Sequence, residues 1–181
     1  GLTDFEATLA SMIEGMDKSL GDILGKLKQL GIEENTIIIF MSDNGANGVM
    51  ATTYPGNGDG KYLSGFNNAL DNRGLPNSFI EMGPGWAQAS SSPFRLFKSF
   101  TSEGGIKAPL MVKLPNDSRN QGAWNRSFVH VTDLLPTLLD LAAVSYPKEV
   151  NGKALRQPIG KSMLPVLRGT SQEIHASQEG M

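Results

Sequence analysis

Thr36-Ile37-Ile38-Ile39-Phe40-Met41 is an uninterrupted apolar run, rich in β-branched side chains, that stops abruptly at Ser42-Asp43-Asn44-Gly45. No polar residue alternates through it, so it reads as a strand buried on both faces, in a parallel sheet covered by helices. The residues before it supply one such helix. Phe5, Leu9, Met12, Ile13, Met16, Leu20, Ile23, Leu24, Leu27 and Leu30 recur at spacings of three and four, giving one broad apolar face. Thr3 or Asp4 suits its start, with Glu6 in the first turn, and Gly31 suits its stop. A helix, a short loop and a buried strand form the αβ half of a βαβ unit, and the fold class is α/β.

From Gly45 to about Ser92 the pattern turns irregular, and Tyr54-Pro55-Gly56-Asn57-Gly58-Asp59-Gly60 excludes a long regular element. Loops of this length in compact domains are functional or disordered. Pro109 to Leu114 reads as a second strand and Phe128 to Val131 as a third. Asp133 to Leu141 reads as a helix with Asp133 as N-cap and Pro136 in the first turn. Ser162 to Leu167 holds one helical turn or two.

Composition narrows the function classes. The 181 residues carry a formal net charge of −2 and no long run of Lys or Arg, so no nucleic-acid surface is written in the chain. There is no cysteine, which removes disulfides, thiolate nucleophiles and Cys-based zinc sites from this segment. No stretch reaches transmembrane length. The chain opens on Gly-Leu-Thr-Asp, without a basic-then-apolar leader, and runs almost at once into a helix, so a fragment of a longer protein is expected.

Two places carry the residue types for chemistry. Asp43 and Asn44 follow a buried strand at the sheet edge where ligands bind in open α/β folds. Together they offer hard oxygen donors suited to Ca²⁺ or Mg²⁺, and Gly45 lets the chain leave without a side chain over an ion. The same tripeptide also makes an ordinary turn. Lys98, in Pro93-Phe94-Arg95-Leu96-Phe97-Lys98, is a compact positive charge able to grip an oxyanion, or simply a solvated loop lysine.

Taken in order, these segments resemble the C-terminal half of the sulfatase family. They are Met16-Asp17-Lys18-Ser19-Leu20-Gly21; Asn35 through Gly45; an arginine-containing loop leading to Lys98; Glu103-Gly104-Gly105-Ile106-Lys107-Ala108-Pro109; and Val131 through Ala142. Gly85-Trp86-Ala87-Gln88-Ala89 is similar to bacterial arylsulfatases in particular. The resemblance implies an alkaline-phosphatase-like α/β/α sandwich with a mainly parallel sheet, incomplete in this chain. Residues 1–145 would be the C-terminal portion of the catalytic domain, and 146–181 a tail leading toward a C-terminal subdomain. It implies sulfate-ester hydrolysis of small molecules or glycans, with a formylglycine nucleophile made from Cys or Ser in a Cys/Ser-x-Pro-x-Arg motif. It further implies Asp43 and Asn44 as ligands of a Ca²⁺ cofactor and Lys98 as a contact to the substrate sulfate. The implied location is periplasmic or secreted, with some members cytoplasmic.

There are departures. The family's loop commonly reads Arg-Gly-Gly-Lys, whereas here Leu96-Phe97 stand between Arg95 and Lys98. The nucleophile motif, further metal-binding aspartates and catalytic histidines normally precede these segments. Ca²⁺ is therefore expected to be absent or weakly held, with Asp43 and Lys98 pairing directly. Ser91-Ser92-Pro93-Phe94-Arg95 fits the Ser-type nucleophile pattern but lies after the metal turn, out of the family's order, and is set aside. His130 reads as structural, His175 carries no assignment, and Asp17, Asp133 and Asp140 read as helix-face or cap residues. Trp86 reads as a core or loop anchor. The alternatives are a phosphodiesterase or phosphonate hydrolase of the same superfamily, and a non-catalytic module binding calcium and a sulfated ligand.

Overall fold

A computed structural model describes residues 4–48, 50, 61–117 and 122–176, which fall into two compact units, 1–112 and 113–181. In the first unit, helix α1 spans Asp4–Gln29 and carries Lys26 and Lys28 in its last turn, where cations suit the helix dipole. Gly31 ends it with a φ of 68°. The Gly31 N–H donates to Lys28 O at 3.0 Å and the Ile32 N–H to Leu27 O at 3.1 Å, the paired bonds of a Schellman stop. A 3-10 turn, Glu33–Asn35, then leads into strand β1, Ile38–Met41.

Strand β1 pairs with β2, Leu110–Lys113. The Ser42 N–H donates to Pro109 O and the Gly45 N–H to Gly105 O, so one chain advances as the other retreats. The pair is antiparallel, and among the described residues it is all that stands for the expected mainly parallel sheet. Nor is β1 buried on both faces as its sequence implied: its first three residues are half-buried and Met41 is exposed. The same holds for α1, whose Met12 is 68% exposed, with Met16 and Ile23 also more than half exposed. Apolar faces are present where periodicity put them, but the described residues do not close over them.

Between β1 and β2 the chain is less irregular than Gly45 to Ser92 suggested. It holds the short helix α2, Lys61–Ser64, a 3-10 turn at Leu70–Asn72, and the eight-residue helix α3, Gly83–Ser90. Helix α3 opens on Gly-Pro-Gly, whose Pro84 is tolerated in a first turn that has no use for its N–H. Tyr54 to Gly60 lie outside the described residues. Helix α4, Glu103–Ile106, precedes β2.

The second unit is built around a buried carboxylate. Asp133 is 0% exposed. Its Oδ2 accepts from the His130 N–H at 2.8 Å and from His175 Nε2 at 2.8 Å, and its Oδ1 accepts from the Lys161 N–H at 2.8 Å. A 3-10 turn, Val131–Asp133, runs straight into α5, Leu134–Leu141. Thr137 on α5 donates to Asp133 O at 2.6 Å and accepts from the Met163 N–H at 2.8 Å. The segment so held leads into α6, Leu164–Leu167, and Met163, Leu164 and Val166 form its buried apolar part. A hairpin of β3, Glu149–Val150, and β4, Lys153–Ala154, turns at Asn151 and Gly152, whose φ values are 52° and 73°. No helix among the described residues is long and apolar enough to cross a membrane.

Two expectations need correction here. Phe128 to Val131 is not a strand, because His130 is the N-cap of the 3-10 turn and spends its N–H on Asp133. Asp133 is not the N-cap of α5 either: it closes a capping box three residues earlier, with the His130 side chain. His175, unassigned in the sequence, is buried against it.

Burial works against the charged form of Asp133, but the N–H groups of His130 and Lys161 and the His175 ring outweigh it. The carboxyl therefore titrates below its usual range. A folded carboxyl that is the stronger acid stabilises the fold above the ordinary aspartate value of about 3.9, and the contribution fades as pH falls from there through the folded value. Asp133→Ala should cost about 3–5 kcal/mol in urea unfolding at pH 7, since it strands buried donors. The gap to the parent chain should narrow as pH is lowered from 4 toward 2, and a gap that stays constant would contradict this account.

Candidate metal and sulfate site

Three backbone segments of the first unit meet where β1 ends. Ser42 Oγ donates to Asn44 O at 2.8 Å and tightens the turn. The Gly45 N–H donates to Gly105 O at 3.1 Å, and a methyl on Gly45 would overlap the carbonyl oxygen of Gly104. The Gly104 N–H donates to Arg95 O at 3.0 Å, and a methyl there would overlap Leu96 O. On Gly105 it would overlap Phe100 O. The Lys98 N–H closes the circuit on Ala46 O at 2.9 Å. Glycine at 45, 104 and 105 thus allows carbonyl-to-Cα approaches that no other residue permits.

The lysine loop is also held from behind. Gln88 on α3 donates from Nε2 to Phe94 O at 3.0 Å and accepts the Leu96 N–H on Oε1 at 2.8 Å, behaving like an added peptide group. Ser102 Oγ donates to Arg95 O at 2.8 Å. Phe97 and Phe100 pack edge to face, and Lys107 sits over the Phe94 ring while pairing with Glu103. Leu96 and Ser99, on either side of Phe97-Lys98, take left-handed φ values of 62° and 79°. Non-glycine residues rarely rest there, and such strain collects where a loop is held for a purpose.

Asp43 is exposed, while Asn44 and Lys98 are half-buried. Among the described residues none of these three side chains makes a hydrogen bond or ion pair, so the expected Asp43–Lys98 pair is not formed. A carboxylate, a carboxamide and an ammonium are thereby left with their bonding capacity turned outward. In kind, Asp43 and Asn44 fit a hard cation such as Ca²⁺; in number, two residues fall short of the roughly six to eight oxygens it takes. Among the described residues no cluster of three or more His, Cys, Asp or Glu side chains makes up the difference.

Other candidates resolve structurally. Ser91 Oγ is buried at the C-terminal cap of α3, out of reach of a substrate. His130 caps a turn with its ring against Thr132 Oγ1 at 2.9 Å. Trp86 is 40% exposed on α3 and is not a core residue.

The family model described as Sulfatase matches residues 6–144. This chain belongs to the sulfatase family. An uncharacterized sulfatase of Schizosaccharomyces pombe is 40% identical over 153 residues, covering 84% of this chain and 27% of the relative. The arylsulfatase of Klebsiella aerogenes is 34% identical over 155 residues, covering 85% and 33%. The crystal structure of Ps i-CgsB in complex with k-i-k-neocarrahexaose aligns with a TM-score of 0.57 at 23% identity, over 92% of this chain and 27% of that one. That likeness shows the sulfatase fold. The chain spans about a quarter to a third of the length of the curated relatives it matches.

Glycine substitutions test the site's construction. Gly104→Ala should cost at least about 1–3 kcal/mol, because the overlap is with backbone that cannot rotate away. Gly85→Ala, with nothing within 4 Å of the added methyl, should be neutral or stabilising by about 0.4–1 kcal/mol. Thermal unfolding of the two variants should move in opposite directions, and equal shifts would show the close approach to be unimportant.

Proposed function

We propose that the protein carrying this chain hydrolyses sulfate esters, and that these residues form the cation- and sulfate-binding side of its site. The observation that supports this most is the glycine-packed circuit that holds the Asp43-Asn44 turn against the Lys98 loop, with all three side chains uncommitted. In this reading Asp43 and Asn44 hold Ca²⁺ together with ligands from outside the chain. The bound cation supplies positive charge to the sulfate oxygens. Lys98 takes a sulfate oxygen on its ammonium and offsets the negative charge that shifts as the S–O bond breaks. Its half-buried setting strengthens that pairing relative to water. Phe97 and Phe100 keep the loop from collapsing onto the site. The nucleophile, a formylglycine in the Cys/Ser-x-Pro-x-Arg context, is supplied by a segment outside these 181 residues. The substrates are sulfated small molecules or glycans, the classes in which the relatives' names fall. A periplasmic or secreted location accompanies this reading.

In the complete protein, Lys98→Ala should lower kcat/KM on an aryl sulfate by about 10²–10³, the loss typical of one preorganised charge donor. Retention within twofold would remove Lys98 from the site. A companion measurement concerns the cation. Calorimetric titration of this chain with CaCl₂ should show binding no tighter than about 10⁻³ M, as so few ligands dictate, and none in Asp43→Ala. Low-micromolar saturable binding would mean that the chain completes its own calcium site.

A further inference from the structure

The second unit carries a cleft of about 430 Å³ lined by Trp124, Asn125, Arg126, Ser127, Gln172 and Glu173. Its volume falls in the range of small-ligand sites. Trp124 is 96% exposed, the largest exposure among the large apolar side chains of the described residues. An indole left wholly in water forgoes the burial that makes tryptophan worth carrying, unless something lies across it.

Both walls of the cleft are fixed. On one, Asn125 Oδ1 accepts from the Ser127 N–H at 2.7 Å and from Ser127 Oγ at 2.6 Å, folding 125–127 into a tight Asx turn. On the other, Ser171 Oγ donates to Glu173 O at 2.7 Å and accepts the Glu173 N–H at 3.3 Å. The two walls are joined beneath the cleft. Phe128 packs edge to face on His175 at 5.8 Å, and His175 is bonded to Asp133. A binder arriving here would not have to order the loops first, and that preorganisation favours affinity.

The lining selects the ligand. One flat aromatic face stands among amide, hydroxyl, carboxylate and guanidinium groups. A peptide or lipid would want more apolar wall than one indole. A saccharide presents a patch of C–H bonds on one face and hydroxyls around its rim, which Gln172, Glu173 and the free amide of Asn125 can engage. Arg126 adds a demand for negative charge. Among the described residues its guanidinium makes no ion pair or hydrogen bond, and its planar fork of donors matches an oxyanion. We propose that this cleft binds a sulfated saccharide, with the indole of Trp124 under a sugar ring and Arg126 on a sulfate group. The proposal deepens the sulfate-ester reading above and rests on it for the choice of sulfate.

The test is an NMR titration of the chain with a sulfated galactan hexasaccharide and with the same hexasaccharide desulfated. The chain has two tryptophans, so Trp86→Phe assigns the two indole N–H resonances. The Trp124 resonance should shift saturably with the sulfated sugar, and at least tenfold more weakly with the desulfated one. Trp124→Ala should abolish binding and Trp124→Phe restore part of it. Arg126→Gln should reduce affinity for the sulfated sugar to that for the desulfated sugar. Lys98→Ala should leave the Trp124 response unchanged, whatever it does to turnover on a small aryl sulfate. The proposal is overturned by an unresponsive Trp124, by equal affinity for the two sugars, or by full binding in Trp124→Ala. A response lost in Lys98→Ala would also overturn it, by placing the sugar at the other site and leaving the sulfate-ester reading intact.

Discussion

The candidate site depends on one geometric permission: peptide groups of 42–46, 95–100 and 104–105 lie closer together than any Cβ would allow. Hydrogen bonds then fix the spacing, from Gly45 to Gly105, Gly104 to Arg95 and Lys98 to Ala46. These contacts are between backbone groups, and backbone cannot change rotamer to relieve a clash. The turn bearing Asp43 and Asn44 and the loop bearing Lys98 are thus positioned by the stiffest parts of the chain. The strain at Leu96 and Ser99 is sustained by the same bonds. A site meant to hold charge against charge needs this stiffness, because electrostatic stabilisation is greatest where donors need not reorganise.

The second unit solves a different problem with a polar device. Four of its pieces, the His130 turn, α5, the 160–163 segment and the stretch ending at His175, have little apolar mass between them. A single carboxylate gathers three of them by accepting three hydrogen bonds, and Thr137 beside it gathers the fourth link to Met163. Gly160 fits there because a side chain would strike Thr132 O. A buried charge is tolerable only when its hydrogen bonds are nearly complete, and here that completeness specifies which segments meet.

The legible parts of this architecture were those encoded locally. The period of α1, the β-branched run of β1 and the Gly31 stop all follow from neighbours within a few residues. The Asp43-Asn44 turn and Lys98 stood out through the order of the family's segments, not through local chemistry, since each alone also suits a solvated loop. What escaped was set at long range. Asp133 reads as a cap until its partners 28 and 42 residues away are in place. Those partners also turned a strand-like Phe128–Val131 into a capped turn. The eight residues of α3 were hidden because Gly-Pro-Gly reads as a breaker although proline is welcome in a first turn. The Asn151-Gly152 hairpin is a different case: the dipeptide is a strong turn signal, and its flanks are simply too short to show alternation.

The lysine loop has a consequence for how such a sequence can drift. Its path is recorded in acceptors and donors of the main chain, with Gln88 imitating a peptide and two glycines elsewhere making room. The side chains at 96 and 97 are therefore not what aims Lys98. A loop that commonly has Gly-Gly at those positions can carry Leu-Phe instead, bearing a modest conformational penalty at Leu96, and still present its ammonium to the same place. Divergence would accumulate inside the motif most often used to recognise it, while the residues that keep its shape, Gln88, Gly104 and Gly105, sit outside it.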